Sequence, residues 1–170
     1  MKKVIYLLAV AAFTVASCTS NEKQTEETTT PPVEETTPAA PEANANEAVI
    51  TLNAGDDMKF DLSEIKVKEG QTVKLTLTHT GKMAKTAMGH NFVLLAEGVV
   101  LADFAGKAIA ASGTDYIPAG SEKEVIAHTK LIGSGESDTI EFTAPAKGSY
   151  EFLCSFAGHS ALMKGTFIVE

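Results

Sequence analysis

From residue 47 onward the chain runs in short segments with a period of two, separated by glycines and polar turns. Val73, Leu75, Leu77 and His79 share one side of such a segment, while Thr and Lys take the other. Ile65 with Val67, Val93 with Leu95, Ile140 with Phe142 and Phe167 with Val169 repeat the alternation, as strands with one buried face do. Tyr150, Phe152 and Cys154 alternate too, so Cys154 is expected to point inward at a strand end. Residues 98–112 break the pattern, because Val99, Val100, Phe104 and Ile109 read as helical. Many short strands with one helical insertion predict an all-β fold, a Greek-key sandwich or barrel.

Before residue 47 the texture is different. Met1-Lys2-Lys3 is a short positive segment, followed by an apolar run from Val4 to Val15 that is too short to span a membrane. Val15-Ala16-Ser17-Cys18 resembles the lipobox of bacterial lipoproteins. That resemblance implies cleavage after residue 17 and acylation of Cys18; the alternative is an ordinary secretory signal with an incidental cysteine. From Thr19 to Asn46 the chain is Thr, Glu, Pro, Ala and Asn, with six Glu against one Lys. Such a segment has too little apolar surface to offset the entropy of ordering it. Fully extended it would reach roughly 80–90 Å, so it reads as a leash or as a solvated tail. The expected organisation is a signal peptide over 1–17, a lipidated linker over 18–46 and one domain over 47–170.

Charge narrows the function. A net charge of −8 without any Lys/Arg-rich run has the wrong sign for a phosphate backbone, so no nucleic-acid partner is expected. The two cysteines, Cys18 and Cys154, fall in segments with separate roles, which excludes a disulfide framework.

The chemistry concentrates in Cys154-Ser-Phe-Ala-Gly-His159-Ser-Ala-Leu-Met163. A thiolate, an imidazole and a thioether within ten residues suit copper, and two His with one Cys and a weak axial Met form the blue-copper arrangement. The second imidazole has to come from elsewhere, and His90, at the head of the apolar run after Gly89, is the evident donor. Cys154 as a reactive thiol is the competing reading, but no activating pattern surrounds it. Nor is there a general base beside a substrate pocket, so an enzyme is not expected.

Met88-Gly89-His90-Asn91, the run from Val125 to Glu136 and the segment from Cys154 to Gly165 together resemble azurin. The likeness covers residues 48–169, and the Cys-x₄-His-x₃-Met spacing is of azurin length rather than the shorter plastocyanin length. It implies a cupredoxin-like fold with one copper per chain, held by His90, Cys154 and His159, with Met163 axial and the Gly89 carbonyl on the other side. It assigns Asn91 to tying the two ligand segments together, with its N–H on the sulfur, and gives the Phe156 N–H a similar place. Met83, Ala87, Met88, Ala157, Gly158, Ala161 and Leu162 match or adjoin the azurin patch for redox partners, and Met58 either joins them or packs in the core. His79 matches a buried, non-ligating histidine and His128 a surface one.

The resemblance has gaps. The family's disulfide has no counterpart, since Ala48 and Gly70–Gln71 stand at its positions. Phe92 stands where the family has a buried Trp, and Ala157 replaces a proline, which restores a backbone N–H near the thiolate. Expected is a one-electron carrier cycling Cu(II)/Cu(I) between extracytoplasmic redox proteins; the alternative is copper storage or delivery. Thr19 after Cys18 favours the periplasmic face of the outer membrane over the inner membrane.

Overall fold

The computed structural model describes residues 46–170. The signal segment, Cys18 and the linker as far as residue 45 lie outside the described residues. Within those described, eight strands form two sheets. In the first, β3 (Thr72–His79) lies between β1 (Glu47–Ala54), its parallel neighbour, and β6 (Ser137–Thr143), its antiparallel one. In the second the order is β2 (Glu64–Val67), β8 (Lys164–Val169), β7 (Gly148–Leu153), β4 (Val93–Leu95) and β5 (Val125–His128). Only the β2–β8 pair of that sheet is parallel.

Alternation decides which side chains meet between the sheets. Val73, Leu75, Leu77 and His79 of β3 are all buried, with the intervening residues turned outward or half-covered. Ile50, Leu52 and Ala54 of β1 do the same beside them. From the second sheet Ile65, Tyr150, Phe152, Phe167 and Val169 join this cluster, together with Phe92, Leu94, Cys154 and Met163. Burying each large apolar side chain stabilises the fold by ~1.5–3 kcal/mol. The core is therefore closed without a disulfide, and Cys154 is a free, buried thiol.

Strand β4 departs from the expected alternation. Val93, Leu94 and Leu95 are all fully buried, because the helical insertion covers the face that would otherwise meet water. Helix α2 (Leu101–Ala108) sets Phe104 and Ala108, one turn apart, against Val93, Leu95 and Leu153 in a second core cluster. A strand covered on both sides reads as a continuous apolar run, as Phe92–Leu95 does.

The insertion starts later than the sequence pattern suggested. Gly98 has φ 78°, a left-handed conformation that a right-handed helix cannot contain, so Val99 and Val100 belong to the approach. After α2 a 3₁₀ segment, Ile109–Thr114, runs into two consecutive left-handed residues, Asp115 (φ 54°, ψ 30°) and Tyr116 (φ 61°). Left-handed backbone costs an L-residue ~1–2 kcal/mol, and neither position is glycine.

One end of the sandwich gathers the expected ligands. A one-turn helix, α1 (Lys85–Met88), follows β3 and delivers Gly89 and His90. His90 precedes β4 and bridges Ile132 through two backbone hydrogen bonds of 2.8 and 2.9 Å. Cys154 follows the last residue of β7, and a short 3₁₀ turn (His159–Ala161) leads through Met163 into β8.

Phe152 joins the layers, its ring 5.7 Å from Phe60 and 5.3 Å from Phe92. Phe152→Ala is expected to cost ~3–5 kcal/mol, the range for a buried aromatic cut to alanine, read as a drop in unfolding free energy by chemical denaturation.

Candidate metal centre

Three donor atoms converge at this end. His90, Cys154 and His159 each offer one atom, all within 4.8 Å of one another, and all three residues are buried. Cys154 Sγ lies 4.0 Å from His90 Nδ1 and 3.6 Å from His159 Nδ1. The Gly89 carbonyl oxygen stands 4.0 Å from the same sulfur, and Met163, fully buried, belongs to the core cluster that holds Cys154. The structure thus brings His90, Cys154 and His159 together, with Met163 buried in the same core cluster as Cys154.

Local structure aims each donor. His90 Nε2 lies 3.0 Å from the Gly55 carbonyl; a carbonyl only accepts, so Nε2 carries the proton and Nδ1 faces the sulfur with a lone pair. The loop ligands are set by a tight turn that begins at Gly158, φ 84°, a left-handed position suited to glycine. His159 N–H donates to Phe156 O at 3.0 Å, Met163 N–H to His159 O at 2.8 Å, and Cys154 N–H to Met163 O at 2.9 Å. The backbone hydrogen bonds therefore close the loop on itself.

Asn91 joins the two ligand segments. Its Oδ1 accepts the Ser155 N–H at 2.8 Å, and its Nδ2 donates to Ser155 Oγ and to the Asp115 carbonyl, each at 2.8 Å. Backbone N–H groups of Asn91 and Phe156 reach the Cys154 sulfur, where the likeness to azurin had placed them. Gly89 is needed for room rather than for its backbone conformation. Its φ is −70°, open to any residue, and an added Cβ would stand 2.6 Å from the Lys85 carbonyl and 3.0 Å from the Leu131 side chain. Space beside α1 requires the glycine.

The remaining histidines take the places expected of them. His79 is buried, with Nε2 2.8 Å from the Met88 carbonyl and Nδ1 accepting the Gly81 N–H at 3.0 Å. Its ring stacks on His90, centroids 4.7 Å apart. His128 is exposed and is itself the last residue of β5. Of the residues expected in the partner patch, Met83, Ala87, Ala157, Gly158, Ala161 and Leu162 are exposed, and Met88 is half-buried. Met58 is half-buried and packs against the core.

Sequence reasoning missed Gly55, Ser155, Asp115 and Tyr116. Three of these four act through backbone carbonyls, which carry no signal in residue type. Ser155, next to Cys154, was legible only as a small polar residue.

The electrostatics suit a soft cation. Burial pushes the His90 imidazole down to about 4 and lowers His159 as well, so both are neutral at pH 7 with lone pairs available. Burial pushes the Cys154 thiol up to about 12, partly offset by the N–H groups of Asn91 and Phe156. A metal that binds here displaces the thiol proton. One thiolate, two neutral imidazoles and a buried thioether nearby fit copper by the softness of the donors.

Comparison with known proteins agrees. Residues 46–170 match the family model for copper-binding proteins of the plastocyanin/azurin family. The chain is 40% identical over 129 residues to an azurin of Pseudomonas chlororaphis, covering 73% of this chain and 99% of that one. An azurin of Achromobacter denitrificans is 45% identical over 125 residues, covering 68% of this chain and 80% of its own. Among solved structures, dithionite-reduced auracyanin of Roseiflexus castenholzii superposes with a TM-score of 0.65 at 38% identity, over 72% of this chain and 96% of the other. An azurin of Methylomonas sp. strain J gives 0.65 at 32% identity, over 75% and 99%.

Without copper, the depressed His90 makes stability depend on pH. Below about 6.5 the unfolded state takes up a proton that the native imidazole refuses until about 4. The native state therefore loses up to about 3 kcal/mol as pH falls through that window, with no further loss from this group below it. Denaturant titrations of the copper-free protein from pH 7 to pH 4 should show the decline, and His90→Gln should reduce it, leaving the part that comes from His159.

Proposed function

The chain belongs to the copper-binding plastocyanin/azurin family and is a one-electron carrier with a type 1 copper site, and from that premise we propose that it works outside the cytoplasm, tethered to a membrane through a lipid on Cys18. The observation that carries the reading is the convergence of His90 Nδ1, Cys154 Sγ and His159 Nδ1 within 4.8 Å in a buried position. We assign Met163 and the Gly89 carbonyl as the further groups that would hold the copper, on the strength of the burial of Met163 in the cluster of Cys154 and the 4.0 Å approach of the Gly89 oxygen to the sulfur.

Bound there, copper supplies a Cu(II)/Cu(I) couple. The protein's part is to hold the donors still and dry. The Gly55 carbonyl fixes the His90 ring, Asn91 fixes the Cys154 segment to the His90 segment, and the Cys154–Met163 turn fixes His159. Donors that keep their places in both redox states leave little to reorganise when an electron moves. The same burial opposes free exchange of ligands, which favours a carrier over a delivery protein.

His159 brings the site closest to the surface. It is 4% exposed, and its ring packs 4.5 Å from that of Phe156. Ala157, Gly158, Ala161 and Leu162 surround it in sequence, and Met83, 42% exposed, and Leu162, 59% exposed, offer large apolar side chains to solvent. A modest apolar surface of this kind suits the small, short-lived interfaces of electron transfer. We assign it to extracytoplasmic redox proteins as donor and acceptor. The attachment is assigned to Cys18 on the resemblance of Val15-Ala16-Ser17-Cys18 to a lipobox and, by Thr19 after it, to the periplasmic face of the outer membrane.

Adding one equivalent of Cu(II) to the copper-free protein is expected to give an intense blue absorption that a mild reductant bleaches reversibly. Cys154→Ser should abolish the colour; colour that persists would refute the thiolate assignment. Cys18→Ser, expressed in a bacterium with lipoprotein processing, should move the chain from the membrane fraction to the soluble extracytoplasmic fraction. A distribution identical to that of the unaltered chain would overturn the lipid anchor.

A further inference from the structure

The left-handed pair that ends the helical insertion is connected directly to both ligand segments. Asn91 follows His90, Ser155 follows Cys154, and both are buried. Asn91 Nδ2 donates to the carbonyl of Asp115 at 2.8 Å, and Ser155 Oγ donates to the carbonyl of Tyr116 at 2.9 Å. Asn91 and Ser155 are joined to each other by two further bonds of 2.8 Å. The four residues thus form a closed ring in which both Asn91 amide hydrogens and the Ser155 hydroxyl hydrogen are used.

Both carbonyls must point the same way for this ring to close. Successive carbonyls of extended backbone point to opposite sides, whereas those of consecutive helical residues, of either hand, point alike. Asp115, with φ 54° and ψ 30°, adopts the left-handed form of that geometry, and Tyr116 follows it with φ 61°. Asp tolerates such a backbone, but a bulky Tyr adopts it rarely, so something must hold it there. The ring at Tyr116 shows what its side chain adds. It lies 4.9 Å from the ring of Phe156, which lies 4.5 Å from that of His159, and it also packs against the cluster under α2. Backbone strain of this kind persists only where the surroundings over-determine it.

We propose that Asp115 and Tyr116 form a clamp that sets the distance between the His90 segment and the Cys154–His159 loop, so that the donors stand in place before any metal arrives. The helical insertion is then part of the copper site's framework: α2 anchors the clamp to the sheet, and the two carbonyls anchor the ligand segments to the clamp. Tyr116 is a positioning residue, acting on His159 through Phe156. This inference rests on the ligand assignment above, and part of its test needs no copper.

Hydrogen exchange of the full chain without copper, read at the Ser155 and Phe156 amides with Leu75 as reference, distinguishes a clamp from general stability. Valine disfavours left-handed backbone, whereas glycine adopts it freely. Asp115→Val is expected to speed exchange at Ser155 and Phe156 by about tenfold or more while Leu75 keeps its protection; Asp115→Gly and Tyr116→Phe should stay near the unaltered chain. With Cu(II) added, Asp115→Val should shift or broaden the visible band and Asp115→Gly should not. Unchanged exchange at Ser155 and Phe156 in Asp115→Val would overturn the clamp, as would an equal rise at Leu75. Asp115→Ala, a milder penalty on the same backbone, takes over the comparison if the valine variant fails to fold. If the unaltered chain takes up no colour, the ligand assignment fails, and the exchange data still decide the clamp.

Discussion

Taking a thiol, two imidazoles and a carboxamide out of water is the constraint on which the rest of this structure depends. A polar group buried without a partner costs free energy, which sets how its neighbours must be arranged. Among the described residues no buried side-chain nitrogen or oxygen is left without a hydrogen bond. His90 is satisfied by Gly55, His79 by Met88 and Gly81, Asn91 by Ser155 and Asp115. At His90 the bond to Gly55 occupies Nε2 and leaves the Nδ1 lone pair facing the sulfur. The network that makes the burial tolerable also determines where the donors point.

The two sheets serve that end in different ways. Gly55 follows β1 in the first sheet, His79 closes β3, and His90 lies beside Ile132 ahead of β4 in the second. Cys154 and Met163 come from the neighbouring strands β7 and β8, whose antiparallel register keeps the loop between them short. The site therefore lies across the seam of the sandwich, and moving one sheet against the other would separate His90 Nε2 from the Gly55 carbonyl. Core packing and donor geometry are two aspects of one constraint.

Much of this was legible from residue types. The alternation in β3, β7 and β8 and the Cys154, His159 and Met163 spacing are properties of side chains, and they carried over into the structure. Strand β4 does not alternate because α2, which follows it in sequence, folds back over its second face, and a period of two does not show where a neighbouring helix packs. The start of that helix was placed too early, at Gly98, because apolar periodicity does not reveal the sign of φ. The crowding that calls for glycine at 89, by the Lys85 carbonyl and Leu131, depends on a one-turn helix that the pattern did not show. Gly55, Asp115 and Tyr116 contribute carbonyls that any residue could supply, so only the fold shows their roles.

Strand β1 has a consequence for how such a domain can be attached. It begins at Glu47 and ends at Ala54, one residue before the carbonyl that fixes His90. Eight extended residues span ~26 Å, so the upstream chain joins the domain at the pole far from the metal, beside the Glu69–Glu170 end of the sandwich. Mechanical load or added length at residue 46 is taken up by the β1–β3 ladder before it reaches the donors. A tether of the kind proposed above, attached at that pole, would stand apart from the donors, so that its length and composition would not retune the site.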